Sequence, residues 1–138
     1  MRARRSATRC GAEVIKAARV AASADVQDLG RFHHVDYHLL DTHRDHTPGG
    51  TGETFDWSLA ASRRSPVPLI LSGGLNPVNV AAAITAVSPF AVDVASGTEA
   101  SPGVKDPAKV RAFAEAVRPS EEEEMAEPDA VPATEPAA

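Results

Sequence analysis

Residues 68–80 read PLILSGGLNPVNV, and this stretch decides the fold. Leu69, Ile70 and Leu71 form a short apolar run of the kind found in strands buried on both faces. Gly73 and Gly74 follow at once, and Asn76-Pro77 then opens an apolar-periodic segment. That order predicts a helix with Asn76 as N-cap and Pro77 at its first position. A strand, a glycine turn and a helix start bring free backbone N–H groups beside the positive end of a helix, which suits a phosphate. Glycine suits the turn because a side chain would hold the anion off the backbone. A plain tight βα turn uses the same residues, so the neighbouring stretches have to decide between the two.

Downstream, Val80, Ala83, Ile84 and Val87 fall on one face of a helix predicted over 77–87. Residues 91–94 read as another buried strand, again ending in a small-residue turn at Ser96 and Gly97. Residues 100–106, ASPGVKD, read as a turn-rich loop. Asp106 then caps a helix that starts at Pro107, with Val110, Phe113, Ala114 and Val117 as its apolar stripe. Upstream, VIKAARV at 14–20 reads as a strand, and 22–29 as a short helix with Ser23 as cap and Asp25 in the first turn. VDYHLLD at 35–41 is the next strand and ends on an acid. Residues 42–57 form a long loop rich in Gly and Thr, and loops of that length in compact domains usually carry function. Asp41, His43 and His46 lie close in sequence, but their spacing is too loose to specify a metal site. Phe55 and Trp57 close the loop and lead into a helix running to about Arg63.

The pattern is strand then helix, four times, which implies a parallel sheet. The acid Asp41 and both small-residue turns fall just past strand C-terminal ends. In α/β barrels that end carries the active site, and the last two turns often hold a phosphate. A complete barrel of that type takes about 250 residues. The ordered part expected here, residues 12–118, is about half of one.

Composition agrees with one soluble domain: 138 residues, 43% hydrophobic, 24% charged and only 4% aromatic. No stretch approaches the length of a membrane span. The single cysteine, Cys10, excludes an internal disulfide or a cysteine-cluster metal site and fits a reducing, cytoplasmic setting. The net charge of −5 is carried by the end of the chain, where Glu121 to Glu124, Glu127, Asp129 and Glu135 stand without a Lys or Arg. Without those seven acids the remainder carries +2, with no basic stripe interleaved with aromatics, so neither nucleic acid nor membrane is an expected partner. Residues 1–11 are expected to be a disordered basic N-terminus and 119–138 a disordered acidic tail.

Four motifs in register now point to a family. LLDTH at 39–43, GGTGETFDW at 49–57, LSGGLNPVNV at 71–80, and VDVASG at 92–97 followed by SPGVKD resemble phosphoribosylanthranilate isomerase of tryptophan biosynthesis. VIKAARV resembles that family's fifth strand, and the likeness runs from about Ala12 to Val117. It implies a TIM (β/α)8-barrel fold, here strands five to eight, a half barrel of four parallel βα units. It also implies an Amadori rearrangement of a sugar phosphate without metal or organic cofactor. By this resemblance Asp41 is the general acid, and Asp93 contacts a substrate hydroxyl. Gly73 and Gly74 form the phosphate turn, and Ser96 and Gly97 form its partner. Gly49, Gly50, Thr51 and Gly52 belong to a loop that helps cover the substrate.

The departures concern the first half of the family's barrel. Its catalytic base is a cysteine in a Lys-x-Cys-Gly strand, and Cys10-Gly11 lacks the Lys and the apolar context. One of two serines usual in the last strand motif is Ala95 here. Four strands without closure would leave two sheet edges open. Several hundred Å² of apolar surface left wet would forfeit about 10 kcal/mol, so a second half barrel or a second copy is an expected partner. Three readings follow: an isomerase whose other half is encoded elsewhere, a non-catalytic phosphate-binding half barrel, or an inactive fragment.

Overall fold

A computed structural model describes residues 11–42 and 57–118. Cys10, His43, His46, the glycine-rich residues Gly49, Gly50, Thr51 and Gly52, and the acidic tail at 119–138 lie outside the described residues. The elements in order are β1 (Ile15–Arg19), α1 (Ser23–Leu29), β2 (Tyr37–Asp41), α2 (Ser58–Ala61), β3 (Leu69–Ser72), α3 (Val80–Val87) and β4 (Ala91–Val92). A one-turn 3-10 helix (Ser96–Thr98), a hairpin of β5 (Glu99–Ser101) and β6 (Val104–Lys105), and α4 (Pro107–Val117) complete the order. Strands β1 to β4 form one parallel sheet in sequence order. No helix among the described residues is long and apolar enough to cross a membrane.

Alternation along the strands sorts the residues between two faces. His38 and Leu40 of β2 and Leu69 and Leu71 of β3 are buried. They share a core with Val26 and Leu29 of α1, Ala60 of α2, Val80 and Ala83 of α3 and Phe113 of α4. Full burial of a leucine such as Leu40 or Leu71 contributes about 1.5–3 kcal/mol, so this helix-covered layer holds the sheet together. The other face carries Tyr37, Leu39, Asp41, Ile70 and Ser72, all half-buried.

His38 is a polar group inside the covered layer. His38 is fully buried; its Nε2 lies 2.8 Å from the Phe32 carbonyl oxygen and its Nδ1 lies 3.0 Å from Arg63 Nη1. Arg63 can only donate, so Nδ1 accepts and the proton is on Nε2, where it donates to Phe32. Arg63 also donates from Nη2 to the Val67 carbonyl at 2.8 Å. Burial pushes the His38 pKa down, the bond to Phe32 partly opposes that, and the Arg63 charge adds to the lowering.

Four local expectations are corrected. Helix α3 begins at Val80, because residues 77–79 form a turn first. Asn76 still caps that turn, its Oδ1 accepting from the amides of Val78 (2.8 Å) and Asn79 (3.0 Å). Ser23 is not the cap of α1; Ala22 holds that position, and Asp25 Oδ2 accepts from the amides of Ala21 and Ala22, both at 2.8 Å. The region 100–106 is not plain loop but most of the β5–β6 hairpin, turned at Gly103 with φ 78°. Finally, β4 is two residues long and ends at Val92, short of the expected Val94. The Asp106 cap is as expected: its Oδ1 accepts from the amides of Ala108 (2.8 Å) and Lys109 (3.3 Å), with Pro107 at the first helical position.

Candidate active site

The sheet register sets the rim. Arg19 lies opposite Asp41 and Asp41 opposite Ser72, so the last residues of β1, β2 and β3 stand side by side. Ser72 Oγ donates to Asp93 Oδ2 at 2.9 Å, which carries the row on past the end of β4. Asp41, Ser72 and Asp93 border a cleft of about 220 Å³ at the C-terminal ends of the strands. Asp41, Gly73, Gly74, Asp93, Ser96 and Gly97, the sequence-derived candidates among the described residues, all line this one cleft.

Each small-residue turn has a physical reason. Gly73 and Gly74 have φ of 89° and 66°, a region that side chains strain to occupy. Asn79 holds the turn from its far side: Nδ2 donates to the Gly74 carbonyl at 2.9 Å, and Oδ1 accepts from the Asn76 amide at 2.8 Å. Thr42, only 3% exposed, holds it from below. Its amide donates to the Ser72 carbonyl at 3.0 Å, and its hydroxyl lies 3.0 Å from that oxygen and 2.9 Å from the Gly73 carbonyl. At the second turn the constraint on Gly97 is space, because a β-carbon there would collide with the Leu75 carbonyl.

The second turn is braced by Thr98 and by Lys105 of the hairpin. Lys105 Nζ donates to the Ala95 carbonyl at 2.6 Å and to Thr98 Oγ1 at 3.1 Å. The hydroxyl of buried Thr98 donates to the same Ala95 carbonyl at 3.2 Å. The hairpin thus serves the rim by supplying a cation that ties down the chain just before Ser96. Thr42, Asn79 and Lys105 carry no signal of this role in the sequence, because a threonine after a strand acid, or a lysine after Pro-Gly, has no distinctive spacing.

The cleft combines backbone amides at two turns with two carboxylates and a hydroxyl. Amides at glycine turns suit an anion, and carboxylates suit proton transfer or binding of sugar hydroxyls. Among the described residues no group of three or more His, Cys, Asp or Glu side chains is arranged to hold a metal ion.

Comparison with known proteins gives a consistent answer. The family model for N-(5'-phosphoribosyl)anthranilate (PRA) isomerase matches residues 1–116. An N-(5'-phosphoribosyl)anthranilate isomerase of Pseudomonas fluorescens is 60% identical over 84 residues, 61% of the chain and 40% of the relative. The solved phosphoribosyl anthranilate isomerase of Thermotoga maritima matches with TM-score 0.63 at 45% identity, over 75% of the chain and 50% of that protein. Another solved phosphoribosyl anthranilate isomerase holds reduced 1-(o-carboxyphenylamino)-1-deoxyribulose 5-phosphate; it matches with TM-score 0.64 at 40% identity, over 82% of the chain and 51% of that protein. The chain spans about half the length of the solved structures it matches. Its four parallel strands and covering helices fit a TIM-type fold.

Proposed function

We propose, from the premise that the chain belongs to the N-(5'-phosphoribosyl)anthranilate isomerase family, that its cleft serves the Amadori rearrangement of an N-(5-phosphoribosyl)anthranilate in tryptophan biosynthesis. The observation that carries this reading is the meeting of Asp41 with two small-residue turns in one cleft. The turns of Gly73-Gly74 and Ser96-Gly97 take the 5-phosphate. Asp41 then protonates the furanose ring oxygen, and the ring opens. Asp93, oriented by the Ser72 hydroxyl, receives a sugar hydroxyl. A base then removes the proton from the adjacent carbon, and the aminoaldose becomes an aminoketose. No described residue is assigned as that base.

In the same reading the four βα units are one half of an eight-stranded barrel. The open sheet face, which includes exposed Ile15 (53%) and half-buried Tyr37, Leu39 and Ile70, is the wall that a second half barrel or a second copy closes. Turnover of phosphoribosylanthranilate by the purified chain, and rescue of a tryptophan auxotroph by it, test the proposal. Activity that is lost on Asp41→Asn supports it. Phosphate binding with no turnover in either assay favours a non-catalytic phosphate-binding half barrel instead.

A further inference from the structure

The residue that connects the strand of the acid to the glycine turn is Thr42, and it makes no contact with the cleft itself. It follows Asp41 directly and is buried behind the turn, 3% exposed. Its amide and hydroxyl both meet the Ser72 carbonyl at 3.0 Å, and the hydroxyl also meets the Gly73 carbonyl at 2.9 Å. One residue therefore holds two successive peptide carbonyls, its amide serving Ser72 and its single hydroxyl proton free for Gly73.

A trans peptide is planar, with its C=O and N–H pointing in opposite directions. There are no cis peptides among the described residues. The peptide whose oxygen is that of Ser72 carries the amide of Gly73, and the peptide whose oxygen is that of Gly73 carries the amide of Gly74. Both oxygens are drawn toward Thr42, so both amides point away from it. Gly73 and Gly74 line the cleft, whereas Thr42 does not. Neither amide donates to another described residue. Consecutive amides aimed to one side make an anion-binding concavity.

We infer that Thr42 is a positioning residue: by holding the carbonyls of Ser72 and Gly73 it aims the Gly73 and Gly74 amides at the substrate's phosphate, and it sets that pair of amides in fixed relation to Asp41. The inference rests on the phosphate reading of the cleft given above. It explains why the hydroxyl is needed. A valine of the same shape would fill the space but leave the Gly73 carbonyl without its donor, and the peptide carrying the Gly74 amide would be free to rotate.

The test is a titration of the full chain with inorganic phosphate, followed by amide proton–nitrogen NMR, on the wild type, Thr42→Val and Thr42→Ser. In the wild type the Gly73 and Gly74 amide resonances move together as phosphate binds. Thr42→Val weakens phosphate binding about tenfold, the usual scale for losing a hydrogen bond in a site for a charged group. Thr42→Ser, which keeps the hydroxyl, stays within about twofold of the wild type. A purely structural role would lower the melting temperature of Thr42→Val and leave phosphate affinity of the folded protein unchanged, which would overturn the inference. If Thr42→Val fails to fold, the wild-type spectrum decides: phosphate binding with the Gly73 and Gly74 resonances unmoved overturns the inference alone. Absence of phosphate binding by the wild type overturns both the inference and the reading beneath it.

Discussion

Gly97 stands so close to Leu75 that a β-carbon at position 97 would lie 1.8 Å from the Leu75 carbonyl oxygen and 2.9 Å from its carbonyl carbon. Both atoms belong to backbone, so no side chain can swing aside to make room. The turn after β4 is therefore packed directly on the turn after β3. Gly97→Ala must separate them, and overpacking of this kind costs about 1–3 kcal/mol. The expected result is a lower denaturation midpoint together with weaker phosphate binding. A Gly97→Ala protein with wild-type affinity for phosphate would show that the two turns do not act as one site.

Asp41 is assigned the proton donor, which gives a separation between chemistry and binding. Asp41→Asn keeps the shape and removes the exchangeable acid. Loss of a positioned general acid costs about 100- to 10,000-fold in turnover. Phosphate binding should stay within about twofold, since the anion sits on backbone amides. Turnover by Asp41→Asn close to that of the wild type would remove Asp41 from the mechanism.

The buried His38 makes stability depend on pH. Its pKa is held below the ordinary value of 6.5, by burial first and by the Arg63 charge as well. The cationic groups around it are Arg63, bonded to Nδ1, and Lys16, its register partner on β1, whose ammonium lies 4.7 Å from the centre of the Phe32 ring. The unfolded chain therefore binds more protons than the folded one between the depressed value and 6.5. The stability from this group is full above about pH 6.5 and is lost as pH falls through that value toward the folded one. Urea midpoints should drop between about pH 7.5 and pH 5.5, and His38→Gln should flatten that slope. An unchanged wild-type midpoint across this range would contradict the buried neutral histidine.

Asp106 offers a control away from the cleft. Its carboxylate caps α4 through two amides. Asp106→Ala should destabilise the chain by about 1 kcal/mol and leave phosphate affinity unchanged. A large loss of affinity would show that α4 reaches the site in a way the cap alone does not explain.

The parts of this architecture that follow from local chemistry were legible in the sequence. Apolar runs at Leu69 to Leu71 and at Leu39-Leu40 announced buried strands. Asp106-Pro107 announced a helix start, and Gly73-Gly74 announced a turn whose positive φ favours glycine. Parts that depend on distant partners were not legible. Thr42 acts on carbonyls 30 and 31 residues away, and Lys105 on one 10 residues back. Strands β5 and β6 are three and two residues long, too short for alternation to show. At α1 two amides were served by Asp25 rather than by Ser23, because a carboxylate three residues into the helix can reach back over its start. Gly97 was legible as small, but the Leu75 carbonyl that requires it to be small was not.

The most direct measurement is a crystal structure of this chain with reduced 1-(o-carboxyphenylamino)-1-deoxyribulose 5-phosphate. The phosphate is expected on the amides of Gly73, Gly74 and Gly97, with the sugar chain lying over Asp41 and Asp93. Finding the phosphate bound elsewhere, or Asp41 out of reach of the sugar while the phosphate occupies the turns, would contradict the account.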